Sequence, residues 1–268
     1  MIQNLHTHTT FCDGKNTPEE MVQAAISLGM DSLGFSGHAP MEPPGNWTMT
    51  DVAAYRREVL RLREKYAGRL EIFLGLEQDI DSPPQPDPWD YVIGSVHQVW
   101  KDGQALPVDD SQEVFLHNVE TFYGGDCYAF AGDYYRRVGE VAERTGCQIV
   151  GHFDLMTKFN EGDRLFDIAH PRYMAAALEA LDRLASQGVI LEINTGAISR
   201  GYRTAPYPAP PLLRAMGERN IPICITSDCH SAQDLLCAFP QAAELARCCG
   251  YREQMQLTAE GFHPVELV

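Results

Sequence analysis

Short apolar or β-branched runs recur along this chain, and each one ends in a polar residue able to do chemistry. Ile2–Leu5 leads into His6 and His8, Ser32–Ser36 into His38, and Ile72–Leu76 into Glu77. Tyr91–Val96 leads into His97, Ile149–Gly151 into His152, Ile190–Ile193 into Asn194, and Ile223–Ser227 into Asp228 and His230. Amphipathic stretches at helical spacing separate these runs, which is the pattern of βαβ units and a parallel sheet. Seven strand–helix alternations with polar groups at the strand C-termini predict an α/β fold in which those groups share one rim of a closed barrel. Its functional site is then expected on the rim formed by those strand ends.

The helices have their own signals. Thr17-Pro-Glu-Glu20 is a capping box with proline at the first helical position, and Met21, Ala24, Ala25 and Leu28 follow at helical spacing. Tyr55, Val59, Leu62 and Tyr66 form a second apolar stripe, and Met174, Leu178, Leu181 and Ala185 a third. Pro-rich stretches at Pro83–Pro88 and Tyr202–Pro211 are expected to be loops that fold over the rim. No linker or charge block divides the 268 residues, so residues 1–268 are expected to form a single barrel domain. The eight cysteines contain no CxxC pair and read as free thiols. With no leader pattern at the start and no stretch near the ~20 apolar residues that span a bilayer, a cytoplasmic protein is expected.

Side chains alternate along an extended strand, so His6-Thr-His8 turns two imidazoles to one side. Asp228-Cys-His230 does the same at the end of the last strong strand, and in a closed barrel the first and last strands are neighbours. His38, Glu77, His97 and His152 come from the intermediate strand ends, and Asp13 from the loop after the first strand. Imidazole with carboxylate suits Zn, Mn or Fe, and a carboxylate such as Glu77 can bridge two ions. His117, His170 and His263 fall outside the pattern and read as surface or capping residues.

These motifs resemble the polymerase and histidinol phosphatase (PHP) superfamily, and within it the histidinol-phosphatases. The resemblance rests on His6-Thr-His-Thr-Thr-Phe-Cys-Asp13-Gly, Gly37-His38, Gly75-Leu-Glu77 and Asp90-Tyr-Val-Ile-Gly-Ser-Val-His97. It continues in Gly151-His152-Phe-Asp154, Glu192-Ile-Asn-Thr195 and Ser227-Asp228-Cys-His230. It implies a distorted TIM-like (β/α)7 barrel that carries two or three divalent metal ions at the C-terminal ends of its strands. His6, His8, Glu77 and Asp228 would hold one ion, Asp13, His38 and His230 a second, and Glu77, His97 and His152 a third. Many relatives carry His where this chain has Asp13.

The reaction implied is in-line displacement at phosphorus on a small phosphomonoester, histidinol phosphate in the narrower family. Glu77 would serve as the metal bridge, and either Asp228 or a metal-bound water as the acid for the leaving oxygen. Lys158, Arg200 and Arg203, just beyond strand ends, are candidates for the substrate phosphate. Glu42, Asp79, Asp81, Trp47 and Trp100 are candidates for an acidic, partly aromatic pocket around the organic group. A nuclease of the same superfamily and a non-catalytic module are the competing readings. With 21 Lys and Arg against 37 Asp and Glu, a net charge of −16 gives no general attraction for nucleic acid, and no nucleic-acid or membrane partner is expected. Intact ligands at every motif position disfavour the module.

Overall fold

The computed structural model describes residues 1–42, 45–85 and 88–267. Strand β1 (Gln3–Asn4), helix α1 (Pro18–Ser27), β2 (Ser32–Phe35), α2 (Val52–Lys65), β3 (Glu71–Asp79) and β4 (Tyr91–Ser95) come first. A hairpin β5 (Gln98–Lys101) and β6 (Gln104–Pro107), then α3 (Gln112–Tyr123), α4 (Cys127–Thr145) and β7 (Ile149–Val150), follow. The chain ends with α5 (Pro171–Ala185), β8 (Ile190–Asn194), α6 (Gly196–Ser199), α7 (Pro210–Glu218), β9 (Ile223–Thr226), α8 (Phe239–Cys248) and a second hairpin, β10 (Glu253–Thr258) and β11 (Gly261–Glu266).

Seven parallel strands pair in the order β1-β2-β3-β4-β7-β8-β9, and a parallel bridge between Thr7 and Cys229 joins the two ends. This is the closed barrel that the seven runs predict, in the distorted seven-stranded form that the resemblance implies. The alternation itself is broken in one place. β3 passes to the parallel β4 through a loop rather than a helix, and residues 86 and 87 of that Pro83–Pro88 loop lie outside the described residues. Glu77 lies within β3, which runs on to Asp79, instead of just beyond its end.

Thr17 caps α1 with the reciprocal Glu20 contact that the capping box requires. In α2, Tyr55, Val59 and Leu62 are fully buried, as their spacing demands. The stripe on α5 needs correction. Its buried face is Tyr173, Ala177, Ala180, Leu181 and Leu184, while Met174 and Leu178 sit at its margin and Ala185 is exposed. The reason is close packing against α4. A Cβ at Gly139 would already stand 3.3 Å from the Cα of Ala180, so only small residues fit that seam.

The hairpin β10–β11 was not foreseen from the pattern. Its Leu257, Met255 and Phe262 pack with Leu5, Phe73, Ile149 and Ile190 and so cover one end of the barrel. The Gln3 side chain mimics a strand partner for it, donating to Leu257 O at 2.8 Å and accepting from Leu257 N at 2.8 Å. Nine-residue β3 and its neighbour β2 meet the buried Tyr91, whose hydroxyl donates to Phe35 O at 3.2 Å and to Leu5 O. Gly34 and Gly75 form the slot for that ring: a Cβ at either would overlap it. Gly75→Ala is therefore expected to cost about 1–3 kcal/mol by overpacking. Thermal denaturation should show a Tm lower by roughly 3–10 °C, whereas an unchanged Tm would mean that the barrel interior has room for the extra methyl.

Candidate metal centre

The Thr7–Cys229 bridge lies between the two chelating pairs, with His8 N donating to Cys229 O at 2.9 Å. It sets His6 and His8 beside Asp228 and His230. On the other side, His38 pairs with Glu77 in a second parallel bridge, and Ala39 N donates to Glu77 O at 2.8 Å. The Glu77 carboxylate is buried at the centre. Its Oε2 lies 3.3 Å from His6 Nε2, 3.5 Å from His8 Nε2 and 2.8 Å from His38 Nδ1. Its Oε1 lies 3.1 Å from His152 Nε2 and 3.6 Å from His97 Nε2.

Asp228 Oδ1 stands 3.2 Å from His8 Nε2 and 3.7 Å from His6 Nε2. Asp13 reaches His230 Nε2 at 3.1 Å, and His8 and His38 at 3.8 Å. All nine groups singled out from the sequence thus converge. Three subsets are compact enough to hold an ion: His6, His8 and Asp228; His8, Asp13, His38 and His230; and His38, Glu77 and His97.

His6 Nε2, His8 Nε2 and Glu77 Oε2 are buried and crowd one another, Asp228 Oδ1 and His38 Nδ1 at 2.8–3.5 Å without a well-aligned hydrogen bond. Buried polar atoms are rarely left so, and ligands aimed at a cation are the ordinary exception. The electrostatics agree. Burial alone would drive a proton from His6, yet Glu192, Glu77 and Asp228 raise its pKa well above the usual value. A field that draws a proton to that nitrogen also draws a dication. Burial with His230 and His38 nearby lowers His8 to about 3, leaving it neutral as a metal ligand must be. Against the cost of burial, His38 and His6 hold Glu77 well below its usual pKa, and Arg200 and His6 do the same for Asp228. Imidazoles that a bound dication would keep unprotonated, together with ionised carboxylates, make a donor set that fits divalent metal.

A second layer orients these groups. Glu192, buried on β8, accepts from His6 Nδ1 at 2.9 Å and from Thr226 Oγ1 at 2.7 Å through Oε2. Its Oε1 accepts from the backbone N of His152 at 2.5 Å and from Asn194 Nδ2 at 2.7 Å. Sequence reasoning gave Glu192 no role. Its one visible signal was a carboxylate in the middle of the apolar run Ile190–Asn194, on the same strand face as Asn194. Asp79, proposed above for the organic pocket, instead accepts from His97 Nδ1 at 2.9 Å. With burial opposing, that contact and Glu77 raise His97 to about 10. Asp228 adopts φ 46°, a conformation side chains rarely take, and its Oδ2 accepts from Arg200 Nη2 at 3.1 Å and Asn194 Nδ2 at 3.3 Å. Gly196 leaves the space: a Cβ there would lie 2.8 Å from Arg200 Nη2 and 3.0 Å from Asp228 Oδ2.

A cavity of about 470 Å³ opens beside the cluster and is also lined by Lys158 and Arg200. Lys158 Nζ donates to Asp109 O at 2.6 Å and lies 4.8 Å from the centre of the Tyr202 ring. Arg203 is not in the lining. It bonds Thr157, lies 3.8 Å from Glu161 and stacks on Tyr207, so its charge is turned away from the cavity. Of the pocket candidates only Trp47 lines the cavity, beside His38 and His97. Asp81 accepts from Arg137, Trp100 and Gln98 instead, Trp100 is half exposed, and Glu42 is exposed. His117 and His263 are exposed, and His170 caps α5 through Arg172 N.

Residues 4–196 match the PHP domain family. A Deinococcus radiodurans protein named "Probable histidinol-phosphatase" is 35% identical over 261 residues, which cover 92% of this chain and 93% of the relative. This chain is a member of the PHP family. Among other PHP proteins, the Bacillus subtilis histidinol-phosphatase is 26% identical over 269 residues, covering 91% of this chain and 98% of that one. The Lactococcus lactis histidinol phosphate phosphatase, solved with Zn, L-histidinol and phosphate, superposes with a TM-score of 0.74 at 21% identity, covering 98% of each chain. The PHP barrel of this chain therefore has a solved counterpart along nearly its whole length.

Glu192→Gln tests the second layer of this PHP site. The amide would set an N–H against either His6 Nδ1–H or the His152 amide. Metal affinity measured by chelator competition should fall by about 10- to 100-fold with the circular dichroism spectrum retained. Unchanged affinity would remove Glu192 from the support of His6.

Proposed function

We propose that this protein is a metal-dependent phosphomonoesterase, a histidinol-phosphatase that converts L-histidinol phosphate and water to L-histidinol and phosphate. One observation carries the reading: buried imidazole nitrogens and a carboxylate oxygen face one another without well-aligned hydrogen bonds next to a cavity lined by Lys158 and Arg200. Such a cluster suits cations, and the two basic side chains suit the dianion that the cations would share. The relatives' names supply the alcohol.

In this reading His6, His8, Glu77 and Asp228 would hold one ion, Asp13, His38 and His230 a second, and Glu77, His97 and His152 a third, with Zn, Fe or Mn as the metal. The compact groupings described above carry the first set without Glu77, the second with His8 added, and the third with His38 in place of His152, which reaches Glu77 Oε1 at 3.1 Å. Bound ions would lower the pKa of an attacking water and neutralise charge on the phosphoryl oxygens. Arg200 binds the phosphate while bracing Asp228, and Lys158 approaches from the loop after β7. Either Asp228 or a metal-bound water would supply the proton for the leaving oxygen. The single-domain reading of residues 1–268 is supported by the last hairpin, which packs on the barrel's own core. No helix among the described residues is long and apolar enough to cross a membrane.

Nine ligand groups exceed what one ion accepts, so more than one equivalent of Zn, Fe or Mn per chain is expected. Elemental analysis of the reconstituted protein giving at most one would overturn a multinuclear centre. Phosphate release should be far faster, in kcat/KM, from histidinol phosphate than from nucleoside monophosphates or oligonucleotides. Arg200→Ala should raise KM and lower kcat/KM by about 10- to 100-fold, as for a lost charge-assisted contact. Equal activity on an oligonucleotide would favour a nuclease.

A further inference from the structure

The cavity has two chemically different walls. One holds the clustered imidazoles with Asp13, Glu77 and Asp228; the other is made by Asn46 and Trp47 from the loop after β2, and by Gln98, Pro107, Asp109 and Asp110 from the two ends of the β5–β6 hairpin. Every carboxylate in this lining has a cationic or imidazole partner except one. Asp13, Glu77 and Asp228 face histidines, and Asp109 faces Lys158 at 3.4 Å. Asp110 has no hydrogen bond or ion pair to any of the described residues, and it is exposed on the cavity side of a well-held turn. Val108 N donates to His97 O at 3.0 Å just before it, and Ser111 just after it caps α3 by accepting from Val114 N at 3.1 Å.

A free carboxylate repels a dianionic substrate unless it serves the other end of that substrate. The phosphate end belongs to the cluster, Lys158 and Arg200. We propose that Asp110 receives the ammonium group of the leaving alcohol, so that the site selects phosphomonoesters of amino alcohols over uncharged ones. This rests on the phosphomonoesterase reading above. Trp47, its ring 4.7 Å from that of His38 and 5.3 Å from that of His97, offers the aromatic surface between the two charged ends. The candidates that sequence alone suggested for this duty are engaged elsewhere: Asp79 by His97, and Asp81 by Arg137.

Asp110 also precedes the N-terminus of α3, where a negative charge favours the helix dipole. That role would act on stability and on all substrates alike. The test is therefore a ratio: kcat/KM for histidinol phosphate over kcat/KM for its desamino analogue, 3-(imidazol-4-yl)propyl phosphate, in wild type, Asp110→Asn and Asp110→Glu, by phosphate release at fixed metal and salt. Asp110→Asn should lower this ratio by about tenfold, chiefly through KM for the amine-bearing substrate, and Asp110→Glu should restore part of it. A ratio unchanged in Asp110→Asn, with or without a parallel loss on both substrates, overturns the assignment and leaves the phosphatase reading standing. Release of phosphate from neither substrate by the metal-loaded wild type overturns both.

Discussion

The short parallel contact between Thr7 and Cys229 is the constraint on which this molecule depends. It is the point where the sheet meets itself, and the residues on either side of it are the chelating pairs His6/His8 and Asp228/His230. Because side chains alternate along a strand, pairing Thr7 with Cys229 turns all four flanking groups in a common direction. Closure of the barrel and assembly of the centre are one event. A shift of register by one residue would disperse the ligands.

Burying so many ionisable groups together is costly unless charges offset one another. Here the offset is layered. Glu77 sits among five imidazoles, Glu192 accepts four hydrogen bonds behind His6 and His152, and Arg200 neutralises Asp228 from the loop side. The remaining imbalance, the Nε2 atoms of His6 and His8 and the Oε2 of Glu77 that face one another without well-aligned hydrogen bonds, lies at the centre, where a cation would stand. The unusual φ of Asp228 and the absence of a side chain at Gly196 belong to the same economy of space.

Selectivity draws on a part of the chain outside the barrel pattern. The β5–β6 hairpin leaves the rim directly after His97 and returns at Asp109, so its base is both a wall of the cavity and a neighbour of the centre. Asp81 holds it from below through Trp100 and Gln98, with Arg137 of α4 completing the contact. A rigid base on which two carboxylates are presented differently, Asp109 paired and Asp110 free, can treat the two ends of a substrate differently.

Much of this protein was legible in its sequence, for a physical reason. Strand periodicity, the capping box at Thr17 and polar residues at strand ends are local properties, and they sufficed for the seven strands and for the nine groups that converge on the rim. The missed elements depend on partners distant in the chain. The buried face of α5 was set by Gly139 of α4, the second hairpin by an open barrel end and Gln3, and the loop in place of a helix between β3 and β4 by nothing visible in periodicity. Among polar groups the division is the same. A histidine at a strand end declares its direction through alternation, but whether Arg203 faces the cavity or Glu161, whether Asp79 meets a substrate or His97, and whether Asp110 stays unpaired are decided by which side chains the other elements bring within reach. The barrel and its ring of donors follow from alternation and strand order, which are written along the chain. Which charges are already satisfied depends on neighbours tens or hundreds of residues away, and so emerges with the packed fold.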